Sequence, residues 1–204
     1  MKVLLINGSP HEKGCTYTAL TEVAKALEGQ GVKTRIFHIG TKPVRGCIDC
    51  GACAKLHKCA FNDDVVNELI PLMQEAEGIV IGSPVYYAGP NGALCAVLDR
   101  AFYAGGGLVA FKPGAAIVSA RRSGTTAAFD RLNKYFTISR MPVVSSQYWN
   151  GVHGNCPEEV LKDAEGLQTM RTIGYNMAWL IKSIKDGKQP LPQIEQRQGT
   201  NFIR

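Results

Sequence analysis

Apolar residues fall in two patterns along this chain. Short unbroken runs stop at Gly, Pro or Asn and mark strands buried on both faces; longer stretches with apolar residues three and four apart mark helices with one buried face. Lys2–Ile6 is a run of the first kind, stopped by Asn7-Gly8. From Thr16 to Glu28, Ala19, Leu20, Val23, Ala24 and Leu27 keep helical spacing, and Gly29 and Gly31 end it. Val32–Ile39 predicts a second strand. Gly78–Gly82 predicts a third, broken by Ser83-Pro84. Ala115–Ser119, after the Lys112-Pro113-Gly114 turn, predicts a fourth, and Met141–Val144 a fifth. Asp63 and Asp64 open a helix through Ile70, where Pro71 is a point of kinking or splitting. Asn91–Tyr103 and Thr125–Thr137 predict two more helices. Pro157 stands at a helix start, and Glu158–Lys185 reads as one long helix or two, with Gly166 and Gly174 as breaks.

Five strands alternating with helices predict an α/β fold: a doubly wound, five-stranded parallel sheet with helices on both faces. In strand order 2-1-3-4-5, a ligand crevice opens between the carboxyl ends of strands one and three. Residues 1–186 form one domain, with a Cys-rich insertion at 40–62; residues 187–204 are a polar, loosely ordered tail.

Composition narrows the function classes. With 45% hydrophobic and 20% charged residues among 204, long disorder is excluded. The net charge of +6 is a mild bias toward anionic ligands, but Lys and Arg are scattered, which argues against nucleic acid as a partner. No apolar run approaches the roughly 18 residues of a membrane span, and the first run is too short for a signal peptide. The expected location is cytoplasmic. In that reducing compartment seven cysteines point to metal ligands or redox thiols rather than disulfides.

Three loops follow strand ends. In Gly8–Thr16, a strand-to-helix turn aims free N–H groups at one point, which suits a phosphate monoester, and Ser9, Thr16 and Thr18 add hydroxyls. The loop is not a Walker A motif, because Cys15 replaces the required Lys, and it holds no Gly-x-Gly-x-x-Gly. Gly82–Asn91 carries adjacent Tyr86 and Tyr87 on a Gly/Pro-rich stretch, a flat surface for a planar ligand. Ala120-Arg121-Arg122-Ser123-Gly124 follows strand four, with two guanidinium groups for an anion or a ring edge.

Gly8-Ser9-Pro10 with Gly14 and Thr16, Gly82–Tyr87, and Ser119–Arg122 together resemble the flavodoxin-like NAD(P)H-dependent FMN reductases, from residue 1 to about 155. The resemblance implies non-covalent FMN. Its phosphate would sit on Ser9 and Thr16, among His11, Cys15 and Thr18; its ring would lie against Pro84, Val85, Tyr86, Tyr87 and Ala120, Arg121, Arg122, Ser123, Gly124. His11 stands where Arg is common and Cys15 where Asn is common. The flavin carries the chemistry, so no catalytic side chain is demanded. The implied function is oxidation of NAD(P)H with electrons passed to a quinone, free flavin or similar small acceptor.

Cys47-x-x-Cys50-x-x-Cys53 with Cys59 has ligand spacing, and Gly46 and Gly51 permit the tight backbone it needs. Three readings stand: an iron-sulfur cluster, zinc, or free redox thiols. The spacing resembles the compact motif of the iron-sulfur flavoproteins, which implies a 4Fe-4S cluster, a homodimer or homotetramer, and a ferredoxin-like electron carrier as partner. Two rival functions follow. One is an electron-transfer flavoprotein without its own small-molecule substrate; the other is a cysteine-based metal or redox sensor that binds no flavin. Trp149–Gly154 is expected to close over the flavin, to meet a partner subunit, or to pack as a loop with a buried Trp.

Overall fold

A computed structural model describes residues 1–187, 189–195 and 198–199. The expected loose tail therefore lies partly outside the described residues. The sheet runs β2 (Lys33–His38), β1 (Lys2–Asn7), β3 (Gly78–Tyr86), β5 (Gly114–Ala120), β6 (Gly151–His153), all parallel. The two-residue β4 (Gly89–Pro90) pairs antiparallel with the end of β3. Counted over the five parallel strands the order is 2-1-3-4-5, as expected.

Burial on both faces explains why β1 is apolar throughout. Val3 and Leu5 join one core with α1 (Cys15–Gly29) and α7 (Ala164–Asp186). Leu4 and Ile6 join the other, with α3 (Val66–Glu75), α4 (Gly92–Gly105) and α5 (Thr125–Ile138). Consecutive side chains leave opposite faces of a strand, so a run with no polar gap is what a doubly covered sheet requires.

Several expectations are corrected. β3 does not stop at Ser83-Pro84 but continues to Tyr86, with Pro84 opposite Ser119. β1 ends opposite Gly82, so past that point one edge of β3 is unpaired and tolerates a residue without an N–H. Met141–Val144 makes only a single bridge, Gly114 to Val143; the chain then leaves the sheet and returns as β6. α3 runs through Pro71 unbroken. Of the two expected arrangements of the C-terminal helical stretch, the structure takes the second: two helices, α6 (Pro157–Val160) and α7, separated by Leu161–Asp163. Gly166 and Gly174 are not breaks. Gly166 receives the Asp163 cap, its N–H donating to Oδ1 at 2.9 Å. At Gly174 a Cβ would stand 2.5 Å from Ala26 Cβ, so the absent side chain lets α7 cross α1 closely. A short helix, α2 (Cys53–Leu56), lies inside the Cys-rich insertion. Among the described residues no helix is long and apolar enough to cross a membrane.

Candidate functional site

Three loops leave the carboxyl ends of β1, β3 and β5, and two asparagines the sequence reading passed over brace the first and join it to the second. Asn7, fully buried, accepts the Ser9 N–H at 3.1 Å and donates to Glu12 O at 2.9 Å, folding the first loop over itself. Asn91 donates to Gly8 O at 2.7 Å, while its own N–H donates to Ser83 Oγ at 2.9 Å. One residue thus joins the first loop to the second and caps α4, accepting the Ala93 N–H at 3.1 Å. His38 Nε2–H donates to Ser9 O at 2.8 Å. At Gly8 a Cβ would meet the Leu94 side chain and stand 2.8 Å from Gly82 O, so only glycine brings the loop this close to β3 and α4.

The expected phosphate residues take distinct places. Ser9 is buried, its Oγ accepting the His11 N–H at 3.1 Å. His11 itself is exposed. Thr16 points inward and shares a hydrogen bond of 2.8 Å with Ser119 Oγ. Thr18 donates to Gly14 O at 3.2 Å, bracing the first turn of α1. Cys15 Sγ faces Gly154 O at 3.8 Å, and burial, the largest influence, raises its thiol above 9.0. Gly14 caps α1 without a side-chain hydrogen bond, and no acidic residue stands in the first turn. The N-terminus of α1 therefore keeps its partial positive charge facing the loop.

The second and third loops touch. Val85-Tyr86 and Gly89-Pro90 form a hairpin whose two turn residues, Tyr87 and Ala88, have φ of 49° and 59°. Left-handed backbone at two non-glycine residues is strained and concentrates at functional loops. Pro84 and Val85 are half-buried, Tyr86 is exposed, and Tyr87 stands wholly in solvent. Ala120 is buried at the end of β5; Arg121, Arg122 and Ser123 are exposed. Gly124, at φ 89°, packs on the hairpin: a Cβ there would stand 2.8 Å from Ala88 Cα. Trp149 is exposed and edge-on to Tyr148 at 4.7 Å rather than buried, and Gly151–His153 forms β6. A cavity of about 300 Å³ lies behind this strand, among Thr125, Trp149, His153, Asp163 and Glu165.

All four insertion cysteines line a second, shallow pocket with Ile48, Phe61, Arg100 and Tyr103. Cys47 and Cys50 are exposed, Cys53 is half-buried and Cys59 is buried. Left-handed turns at Asp49, Gly51 and His57 fold the loop back on itself. Asn67 on α3 pins its far end, accepting the Cys59 N–H at 2.8 Å and donating to Cys59 O at 2.9 Å. Arg100 on α4, unsignalled by the sequence, donates from Nε to Cys59 Sγ at 3.3 Å. It also pairs with Asp64 and donates to Arg45 O at 3.2 Å, while its Nη2 is buried without a partner. Burial disfavours the charge, but the bonds to Asp64 and Cys59 outweigh it and hold the guanidinium above its ordinary range. A buried donor left over in a wall of thiols fits an anionic thiolate-bound group. Among the described residues no three His, Cys, Asp or Glu side chains stand close enough to grip one ion.

The NADPH-dependent FMN reductase family matches residues 1–155. An iron-sulfur flavoprotein of Methanocaldococcus jannaschii is 32% identical over 193 residues, covering 91% of this chain and 100% of that protein. One from Methanosarcina thermophila is 29% identical over 196 residues, covering 92% and 99%. Among solved structures, RosB with a bound formylated riboflavin-5'-phosphate intermediate superposes with a TM-score of 0.73 at 14% identity, over 100% of this chain and 94% of that one. An archaeal flavodoxin superposes at 0.61 and 16% identity, over 89% and 99%. These two likenesses show the fold. Together with the loops at the switch point between β1 and β3, the family match over three quarters of the sequence decides the matter: the chain belongs to the NADPH-dependent FMN reductase family.

Proposed function

We propose that this FMN-dependent oxidoreductase takes electrons from NAD(P)H and passes them to a small acceptor such as a quinone or free flavin. The convergence of the three loops at the β1/β3 switch point carries the reading. When bound, FMN supplies the capacity to accept a hydride and release electrons singly or in pairs.

The chain's own residues bind and orient. The N–H groups of the first loop and the Ser9 hydroxyl hold the phosphate at the N-terminus of α1, with His11, Cys15, Thr16 and Thr18 around them. Pro84–Tyr87 and Ala120–Gly124 flank the ring in this reading, and the packing of Gly124 on Ala88 fixes the two loops against each other. Arg121 and Arg122 place positive charge at the exposed rim, where an anionic dinucleotide approaches.

Cys47, Cys50, Cys53 and Cys59 hold a 4Fe-4S cluster in this reading, which supplies one-electron exchange with a carrier of the ferredoxin kind. The names of the archaeal relatives and the buried Arg100 beside Cys59 support it. The protein works as a homodimer or homotetramer. Tyr175 and Trp179, one turn apart on α7, and Tyr87 are all exposed, more aromatic surface than a monomer needs. Seven unpaired thiols suit a reducing compartment such as the cytoplasm.

Purified protein loaded with FMN tests the reading. Steady oxidation of NADH or NADPH with a quinone or free flavin supports it. Tight FMN binding without turnover, but with electron exchange with a ferredoxin, supports the carrier function instead. Protein that retains no flavin once FMN has been added and the excess removed overturns both.

A further inference from the structure

We propose that Arg100 is a positioning residue that fixes Cys59 and sets the reduction potential of the group held by the four cysteines; this rests on the iron-sulfur reading above. A guanidinium 2% exposed, on a helix whose neighbouring Val97, Leu98 and Ala101 are fully buried, occupies a place where an apolar side chain would pack without penalty. Burying a charge is costly unless it is paired and hydrogen-bonded. Asp64, 3% exposed, supplies the counter-charge, and Arg45 O takes a second bond. Neither uses Nε, which is given to Cys59, and Nη2 remains unpaired.

Neutral thiol sulfur is a weak acceptor, and thiolate sulfur a much better one. A ligating sulfur carries negative charge, so the Nε–H donor at Cys59 Sγ is matched to a bound group rather than to a bare thiol. Reduction adds one electron and no proton to a cluster, so its reduced form carries one more negative charge. N–H donors to a ligating sulfur and a nearby cation stabilise that form more than the oxidised one. α4 also sets the place of this site relative to the crevice. Gly92 begins the helix at the hairpin and Arg100 lies eight residues on, about 12 Å along the axis. One rigid element thus carries both the cap that ties the flavin loops and the arginine that faces the cysteines.

The test uses full-length protein reconstituted anaerobically with iron and sulfide, then titrated with dithionite and followed by paramagnetic resonance. Arg100→Lys keeps the ion pair with Asp64 but lacks Nε–H and the planar fork; Arg100→Gln removes the charge as well. Both are expected to move the redox equilibrium about tenfold toward the oxidised form, close to 59 mV lower for a one-electron couple. Asp64→Asn leaves the guanidinium charge less compensated and is expected to move the potential the opposite way, a sign that looser packing alone would not produce. Retained FMN verifies the fold of each variant, and if Arg100→Gln fails to fold, Arg100→Lys and Asp64→Asn still decide. Iron-loaded variants with the wild-type potential overturn the role of Arg100 and leave the cluster reading standing. Wild-type protein that takes up no iron overturns both.

Discussion

Thr16 Oγ1 and Ser119 Oγ lie 2.8 Å apart, both side chains buried, and join the first turn of α1 to the end of β5. One hydroxyl gives its hydrogen to the other, which leaves a single hydrogen for the crevice. Thr16→Ala removes the link and is expected to weaken FMN binding by about 1–2 kcal/mol. Thr16→Ser keeps the hydroxyl and is expected to bind nearly as well. Flavin titration distinguishes them; equal affinity for Thr16→Ala and the wild type would remove Thr16 from the site.

Gly124 makes the second link, between the third loop and the strained hairpin. A Cβ at φ 89° is disfavoured and would also press on Ala88 and Val85. Gly124→Val is expected to destabilise the fold by about 1–3 kcal/mol, the usual cost of such strain. It should also weaken FMN binding by displacing the hairpin proposed to flank the ring. Gly124→Ala should show the same pattern at smaller size. A loss of thermal stability with unchanged flavin affinity would place the ring elsewhere.

Most of the sheet was legible because its signal is local. Leu4 and Ile6, or Ile79 and Ile81, are apolar on both sides of every neighbour, and only a strand covered on both faces asks for that. The fifth strand was not. Met141–Val144 is the more apolar segment, yet Gly151–His153 carries the pairing with only Val152 fully buried, as an edge strand permits. The Tyr87-Ala88 turn lacks the Asn-Gly signature that marks most two-residue hairpins. The loops and the four cysteines were visible in the chain, but the residues that fix them were not. Asn91 reaches Gly8 across 83 positions and Arg100 reaches Cys59 across 41, separations at which no spacing rule operates.

Tyr135 gives the fold a pH dependence. Its hydroxyl is buried and donates to Asp99, and burial first, then that carboxylate, raise it above its ordinary 10.0. At alkaline pH the unfolded chain loses this proton before the native one does. The unfolded state then binds fewer protons, so stability falls as pH rises from about 10. Half-buried Cys15 and Cys95, both raised mainly by desolvation, add to the loss from about pH 9. Lys112, lowered mainly by burial, opposes it just below 10.5. Tyr135→Phe is expected to cost about 1–3 kcal/mol at neutral pH and to flatten the alkaline limb. Urea midpoints at several pH values check both parts; an unchanged alkaline slope would assign it to the thiols.

Asn67 holds Cys59 by its backbone, with further bonds from Nδ2 to Phe61 O at 3.0 Å and to Asn62 Oδ1. Asn67→Ala leaves the Cys59 N–H and two carbonyls without partners, at about 1–3 kcal/mol for the unsatisfied donor. Asn67→Asp keeps the acceptor for that N–H but sets a carboxylate against the carbonyls, so it should lose as much or more. The wild type is expected to retain about four irons per chain after anaerobic reconstitution. Asn67→Ala is expected to take up fewer, and to lose them faster to a chelator, because Cys59 no longer has a fixed backbone. Iron content and chelation rate, read alongside FMN content, separate this from general unfolding. Full and stable iron loading in Asn67→Ala would mean that the side-chain bond from Arg100 suffices to hold Cys59 in place.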